Sequence, residues 1–218
     1  MRIALAIAFA GCGGTATGGE GGPQKVFVEL DGITLTRGSE DAQTNTSSAI
    51  EGTLSPFRSD KADREARIAA TLEALDAIVA PFRLEVVTER PDVGRYDMIV
   101  IGGSPTEVGL GFGVGGAAAT DCSNAVPNKV VVVFANAFPD SSDGDRIASL
   151  AIAGLGTSQG IPSSDLADDC LCWSGTSCAN TTRCTFGGPG TPVSGFDECK
   201  DGATMDPTSE FARVYGTR

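Results

Sequence analysis

At 218 residues the chain has room for one ordinary domain, or one domain with a small irregular appendage, and its 41% of hydrophobic residues is enough to bury a single core. A net charge of -12 without any Lys/Arg cluster excludes a nucleic-acid backbone as partner, because phosphate binding needs a basic stripe that releases counterions. The chain has no histidine, which removes both the side chain that most often acts as general base near neutral pH and the commonest zinc ligand.

Met1-Arg2 is followed by the apolar run Ile3 to Phe9 and then by Ala10-Gly11-Cys12. This order of charged, apolar and small residues predicts an export signal over residues 1–11, with Cys12 as the lipidated first residue of the mature chain. An N-terminal strand or helix is the alternative. No other apolar run approaches the ~18 to 20 residues a membrane-spanning helix needs, so acyl chains on Cys12 are the expected membrane anchor. Gly13 and Gly14 stand where an aspartate commonly retains lipoproteins at the inner membrane, which points to the outer membrane or cell surface. Residues 12–24 are rich in Gly, Ala and Thr, a composition that buries no core and reads as a flexible tether.

The folded domain is expected over residues 25–160. Lys25 to Leu30 is apolar and β-branched, Asp31-Gly32 marks a turn, and Ile33 to Thr36 alternates, so a strand continues or folds back here. Ser39 to Ser59 is polar and turn-rich, which predicts a long surface loop. A helix is predicted from about Asp60 to Ala80: Ile68, Leu72, Leu75 and Val79 recur at helical spacing, Ser59 and Asp60 offer caps, and Pro81 ends it. Arg83 to Thr88, Tyr96 to Ile101 and Lys129 to Phe134 carry continuous Val/Ile runs that predict buried strands. The Gly-rich stretch Gly102 to Gly116 links the last two. A second helix is predicted from Ser142 to Leu155 on the stripe Ile147, Leu150, Ala151, Gly154 and Leu155, with Ser141, Ser142 and Asp143 as caps and Gly156 at its end. The fold class is therefore α/β (α+β), a twisted, mostly parallel sheet with two main helices. Residues 161–218 read as an irregular, Cys-rich part held by bridges more than by burial.

Seven cysteines less Cys12 leave Cys122, Cys170, Cys172, Cys178, Cys184 and Cys199. Five of them run C-x-C-x5-C-x5-C-x14-C, which lacks the paired CxxC spacing of a zinc ribbon, so three disulfides are expected in an exported chain. Spacing alone does not choose their connectivity.

Several stretches look chemical and have plainer readings. Gly111 to Gly116 satisfies G-x-G-x-x-G, but Ala117 to Cys122 offers no adequate helix to hold a pyrophosphate, so a flexible sheet-edge loop is favoured. Gly156-Thr157-Ser158-Gln159-Gly160 satisfies G-x-S-x-G, yet it follows a helix and Ser158 has no histidine to activate it, so a glycine helix end is favoured. Asp140, Asp143 and Asp145, like Asp165, Asp168 and Asp169, lack the EF-hand spacing and read as solvated loop acids, with a low-affinity calcium site as the alternative.

Residues 25–160 resemble a family of metzincin-type metallopeptidases from soil bacteria, many of them lipoproteins. The resemblance is carried by Leu30-Asp31-Gly32, by Ala80-Pro81-Phe82 leading to Val86-Val87-Thr88-Glu89-Arg90-Pro91, and by Tyr96 to Pro105. It continues through Gly113-Val114-Gly115-Gly116 and Asp121 to Asn128 into Val130 to Phe134. It implies a metzincin-like zincin fold whose second helix carries H-E-x-x-H-x-x-G-x-x-H, where the glycine lets the chain turn so that a third histidine closes on zinc. With Gly154 on the motif glycine, Ile147 and Ala151 take the first two histidine positions, Ala148 the general-base glutamate and Thr157 the third histidine. Leu171 takes the place of the methionine beneath the metal. All the chemical roles are vacant, so the resemblance implies a degenerate member with no zinc, no other cofactor and no catalytic residue. The expected function is a non-catalytic module that binds a peptide or protein. The alternatives are a hydrolase with a histidine-independent site, using Ser158 with a lysine or a carboxylate pair, and a structural envelope lipoprotein.

Overall fold

A computed structural model of the chain describes residues 22–172, 178, 183–187, 199 and 204–218. The expected signal at 1–11, the lipidation at Cys12 and most of the tether lie outside the described residues.

Two sheets and three helices make up the described fold. In chain order they are β1 (Gln24–Glu29), β2 (Ile33–Arg37), β3 (Thr46–Ser47), β4 (Gly52–Leu54), α1 (Arg64–Val79), β5 (Leu84–Val87), β6 (Tyr96–Gly102), β7 (Gly116–Ala118), β8 (Val130–Phe134), α2 (Asp145–Ser158) and α3 (Pro207–Tyr215). The main sheet has the order β5-β1-β6-β8-β7. Its first four strands are mutually parallel and β7 pairs antiparallel to β8. The mixed α/β class with a mostly parallel sheet thus agrees with the reading of the sequence.

Every residue of β6 and β8 is buried, which is why their sequences are continuous apolar runs rather than alternating ones. The two-residue period of a strand sends their side chains to opposite faces. Val26, Val28, Ile99, Ile101, Val131 and Val133 pack with Leu75 and Ile78 of α1 and Ile147, Ala151 and Leu155 of α2. Phe27, Met98, Val100, Val130 and Val132 pack instead with Ile33, Leu35 and Leu54 of the small sheet β3-β2-β4 and with Ile50 between β3 and β4. The fold is therefore three layers, with helices on one face of the main sheet and the small sheet on the other.

The stretch Ser39 to Ser59 departs from its reading as a surface loop. It carries β3 and β4 and buries Glu40, Ala42, Ser47, Ile50, Leu54, Phe57 and Arg58. Its polar composition concealed this because its polar groups satisfy one another: the Glu40 carboxylate accepts from the Ser47 hydroxyl at 3.0 Å, the Ser48 hydroxyl at 2.9 Å and the Val130 amide at 3.2 Å. β2 does fold away after Asp31-Gly32, but into the small sheet. Gly32 has φ +83, and a Cβ there would lie 2.8 Å from the Leu54 carbonyl oxygen.

α1 starts later than Asp60, with Asp63 at its N-cap and no side-chain capping bond. α2 likewise runs from Asp145 to Ser158, beyond the end expected at Gly156, and Gly144 takes the N-cap expected of Ser141, Ser142 or Asp143. The Asp143 carboxylate is drawn instead to Arg58 and Arg67.

Three disulfides join Cys122 to Cys199, Cys170 to Cys184 and Cys172 to Cys178. Several described residues of the C-terminal part are also buried. Ile161, Cys170, Leu171, Cys184, Met205, Phe211 and Tyr215 belong to the same core as α1 and α2. Phe211 of α3 meets Phe82 and Phe186, each at 4.8 Å between ring centroids. These aromatics come from segments far apart in the chain, so no local periodicity announces them. Among the described residues no helix is long and apolar enough to cross a membrane.

Candidate functional site

α2 lies along the sheet at the β7 side and carries the residues singled out from the sequence. Ile147, Ala148 and Ala151 are fully buried in the helix-side core. Thr157 is half-buried, and its hydroxyl donates to the Ala153 carbonyl at 3.0 Å. Gly154 does not turn the chain, because α2 continues through it to Ser158. Thr157 therefore stays on the helix and, at 100° per residue, points about 80° away from Ile147 and about 120° away from Ala151. These three positions do not converge.

The chain turns at Gly160, where φ is +69. Gly160 N–H donates to the Thr157 carbonyl and Ile161 N–H to the Gly156 carbonyl, both at 3.0 Å, which is the paired bonding of a Schellman helix end with glycine at the left-handed position. The backbone also needs glycine for space, since a Cβ on Gly160 would lie 2.6 Å from the Asp121 carbonyl oxygen. Counting the same motif spacing back from Gly160 places Ala153 and Thr157 at the first two ligand positions, Gly154 at the general base and Ser163 at the third ligand. Neither register supplies an imidazole, a carboxylate or a thiolate. The sequence offers Gly154, Gly156 and Gly160 within seven residues, and the backbone angle that distinguishes them is invisible in the letters.

Leu171 packs against α2 at Gly156. It is buried, and a Cβ on Gly156 would sit 2.5 Å from its Cδ2. Ser158 is 1% exposed and its hydroxyl donates to the Leu155 carbonyl at 2.8 Å. A nucleophile must reach its substrate, and this hydroxyl is sealed in the helix end.

A buried polar cluster at the foot of α2 was missed from the sequence. Asp97 Oδ2 accepts from Gln24 Nε2 at 2.8 Å, Gln159 Nε2 at 2.9 Å and the Tyr215 hydroxyl at 3.5 Å, while Oδ1 accepts from the Lys129 amide at 2.8 Å. Burial pushes the Asp97 carboxyl up to about 6, against the opposing pull of the Lys129 amide and charge. Burial, and then the Asp97 charge, also raises the Tyr215 phenol well above its ordinary range. Asp97, Gln159 and Tyr215 are all buried, so the cluster is a strut joining β1, β6, α2 and α3. Beside it, Lys129 Nζ pairs with Asp121 at 2.5 Å. Burial works against the Asp121 charge, yet the Lys129 ammonium, the Val126 amide and the Ser123 hydroxyl hold its carboxyl well below the usual range.

Four of the acids weighed for calcium are engaged by other groups. Asp143 pairs with Arg58 and Arg67 at 2.7 Å each, Asp140 with Lys61 at 3.2 Å and Asp145 with Arg183 at 2.8 Å. Asp169 is buried and accepts from the Leu171 and Gly187 amides, each at 2.7 Å. Among the described residues no group of three or more Cys, Asp or Glu side chains is arranged to hold a metal ion.

The surface beside α2 is formed by β7 and the Gly-rich stretch that precedes it. Gly116 opens a strand rather than a helix, so Gly111 to Gly116 has no helix N-terminus behind it. β7 is the last strand of the main sheet, paired on one side to β8 and, among the described residues, to no strand on the other. Gly116, Ala117 and Ala118 are half-buried and small, which lets another backbone approach closely. Phe112 stands 93% exposed in the loop just before them. No family model, curated protein or solved structure matches this chain.

Proposed function

We propose that this chain is an exported lipoprotein whose domain is a degenerate metzincin-like scaffold, acting without catalysis as a module that binds a peptide or protein. The observation that carries the reading is the content of α2. Whichever glycine sets the register, the positions that would hold zinc and its base carry Ile, Ala, Gly, Thr or Ser, none of which fits a catalytic zinc. The free edge of β7 supports the binding part, because an unpaired strand edge offers main-chain hydrogen bonds to an extended segment. The three disulfides support export, since such bridges persist in oxidising compartments. The buried hydroxyl of Ser158 weighs against the hydrolase alternative.

Zinc loading tests the non-catalytic part. After incubation with zinc and removal of the excess, the purified protein is expected to retain far less than one equivalent and to leave peptide substrates intact. One tightly held equivalent, together with peptide cleavage abolished by a chelator, would overturn the proposal.

A further inference from the structure

We propose that Arg146, beside the Gly116 end of the β7 edge, is a subsite for a carboxylate, so that the extended peptides taken by this domain carry an acidic side chain at one position. The inference rests on the peptide-binding reading above and adds to it the chemistry of the ligand.

Arg146 lies in the first turn of α2. Among the described residues its Nε is buried and has no hydrogen-bond partner, so the donors of the guanidinium are not used up within the fold. Its guanidinium lies over the Phe138 ring, 5.0 Å from the centroid. A cation over an aromatic face is held there by the ring quadrupole, which does not use up its N–H donors. The Phe138 ring in turn presses on Gly115, where a Cβ would lie 3.1 Å from Phe138 Cζ, and Gly115 leads directly into β7. Arg146, Phe138, Gly115 and the free edge are thus contiguous.

The carboxylates nearest in sequence are committed elsewhere. Asp143 is held by Arg58 and Arg67, Asp140 by Lys61, and Asp145 by Arg183. Among the described residues Arg146 forms no such pair, and it is only half-buried, so an incoming carboxylate can meet it. A carboxylate there would also lie near the N-terminus of a fourteen-residue helix, where the helix dipole favours negative charge. A strand added to β7 supplies backbone bonds that do not depend on sequence, and Arg146 then selects one acidic residue by a charge-assisted bond.

The test pans a phage-displayed library of random linear peptides on the immobilised full chain, and repeats the panning with R146Q and R146K. The wild type is expected to enrich peptides with Asp or Glu at one fixed position. R146Q is expected to lose that preference and to bind the enriched acidic peptides about tenfold more weakly. R146K keeps the charge but not the planar fork and is expected to lose only part of the affinity, which keeps the test decisive if R146Q folds poorly. Enriched peptides with no acidic position, or an acidic preference unchanged in R146Q, would overturn the role of Arg146 and leave the peptide-binding reading standing. Failure of the wild type to enrich any peptide would remove that reading and this inference with it.

Discussion

Asp97 is a carboxylate placed in the core by the strand that carries it, and its surroundings set a pH dependence with a definite sign. Its carboxyl rises from 3.8 in the unfolded chain to about 6 in the fold, so folding favours the protonated form. The corresponding stabilisation is complete below pH about 4 and is lost as pH rises through about 6, at a cost of about 3 kcal/mol at neutral pH. The titratable groups facing it are the Tyr215 phenol and, through its backbone and charge, Lys129. Asp97→Asn removes this term. Thermal midpoints measured from pH 4 to pH 7 should therefore fall for the wild type relative to the variant, whatever constant offset the amide introduces, and a pH-independent difference would contradict the assignment. The strand Tyr96 to Ile101 was legible as an apolar run, but the partners of its one charge were not. Gln24, Gln159 and Tyr215 come from three distant segments, and only the folded topology brings them to one carboxylate. Arg58 and Lys129 were hidden in the same way, as single charged letters whose burial depends on Asp143 and Asp121.

The elements themselves were legible wherever one face of a regular segment is buried, and their ends were not. β6 and β8 follow from their Val/Ile runs, and α1 and α2 from helical spacing, because burial imposes those patterns. Helix ends depend on backbone angles and on what the adjoining chain touches. At α2, Gly154 and Gly156 are consistent with continued helix, whereas Gly160 combines φ +69 with a close approach to the Asp121 carbonyl oxygen. This difference makes Gly160→Ala the informative substitution. The added methyl must adopt a left-handed backbone and displace a backbone oxygen at 2.6 Å. A loss of about 2 kcal/mol or more is expected, read as a shift in the urea midpoint at unchanged m-value. A variant as stable as the wild type would mean that the helix ends elsewhere.

At the scale of the whole molecule, several described residues of the C-terminal part join the main core, and three bridges add covalent links to it. The three disulfides close loops of very different length, with sequence separations of 77, 14 and 6. If their main effect is to restrict the unfolded chain, the Cys122–Cys199 bridge contributes about 4 kcal/mol and the Cys172–Cys178 bridge about 2 kcal/mol. Position reinforces this ranking. Cys122 packs against the turn that ends α2, since a Cβ on Gly160 would lie 2.8 Å from Cys122 Cα, and the preceding Asp121 anchors the buried Lys129. Replacing Cys122 and Cys199 together by serine therefore frees the C-terminal chain from the end of α2 as well as lengthening the unfolded ensemble. Chemical denaturation of the full chain should show that pair losing clearly more stability than the Cys172/Cys178 pair. The opposite order would indicate that native contacts around the short loop, rather than chain entropy, govern the contribution of these bridges.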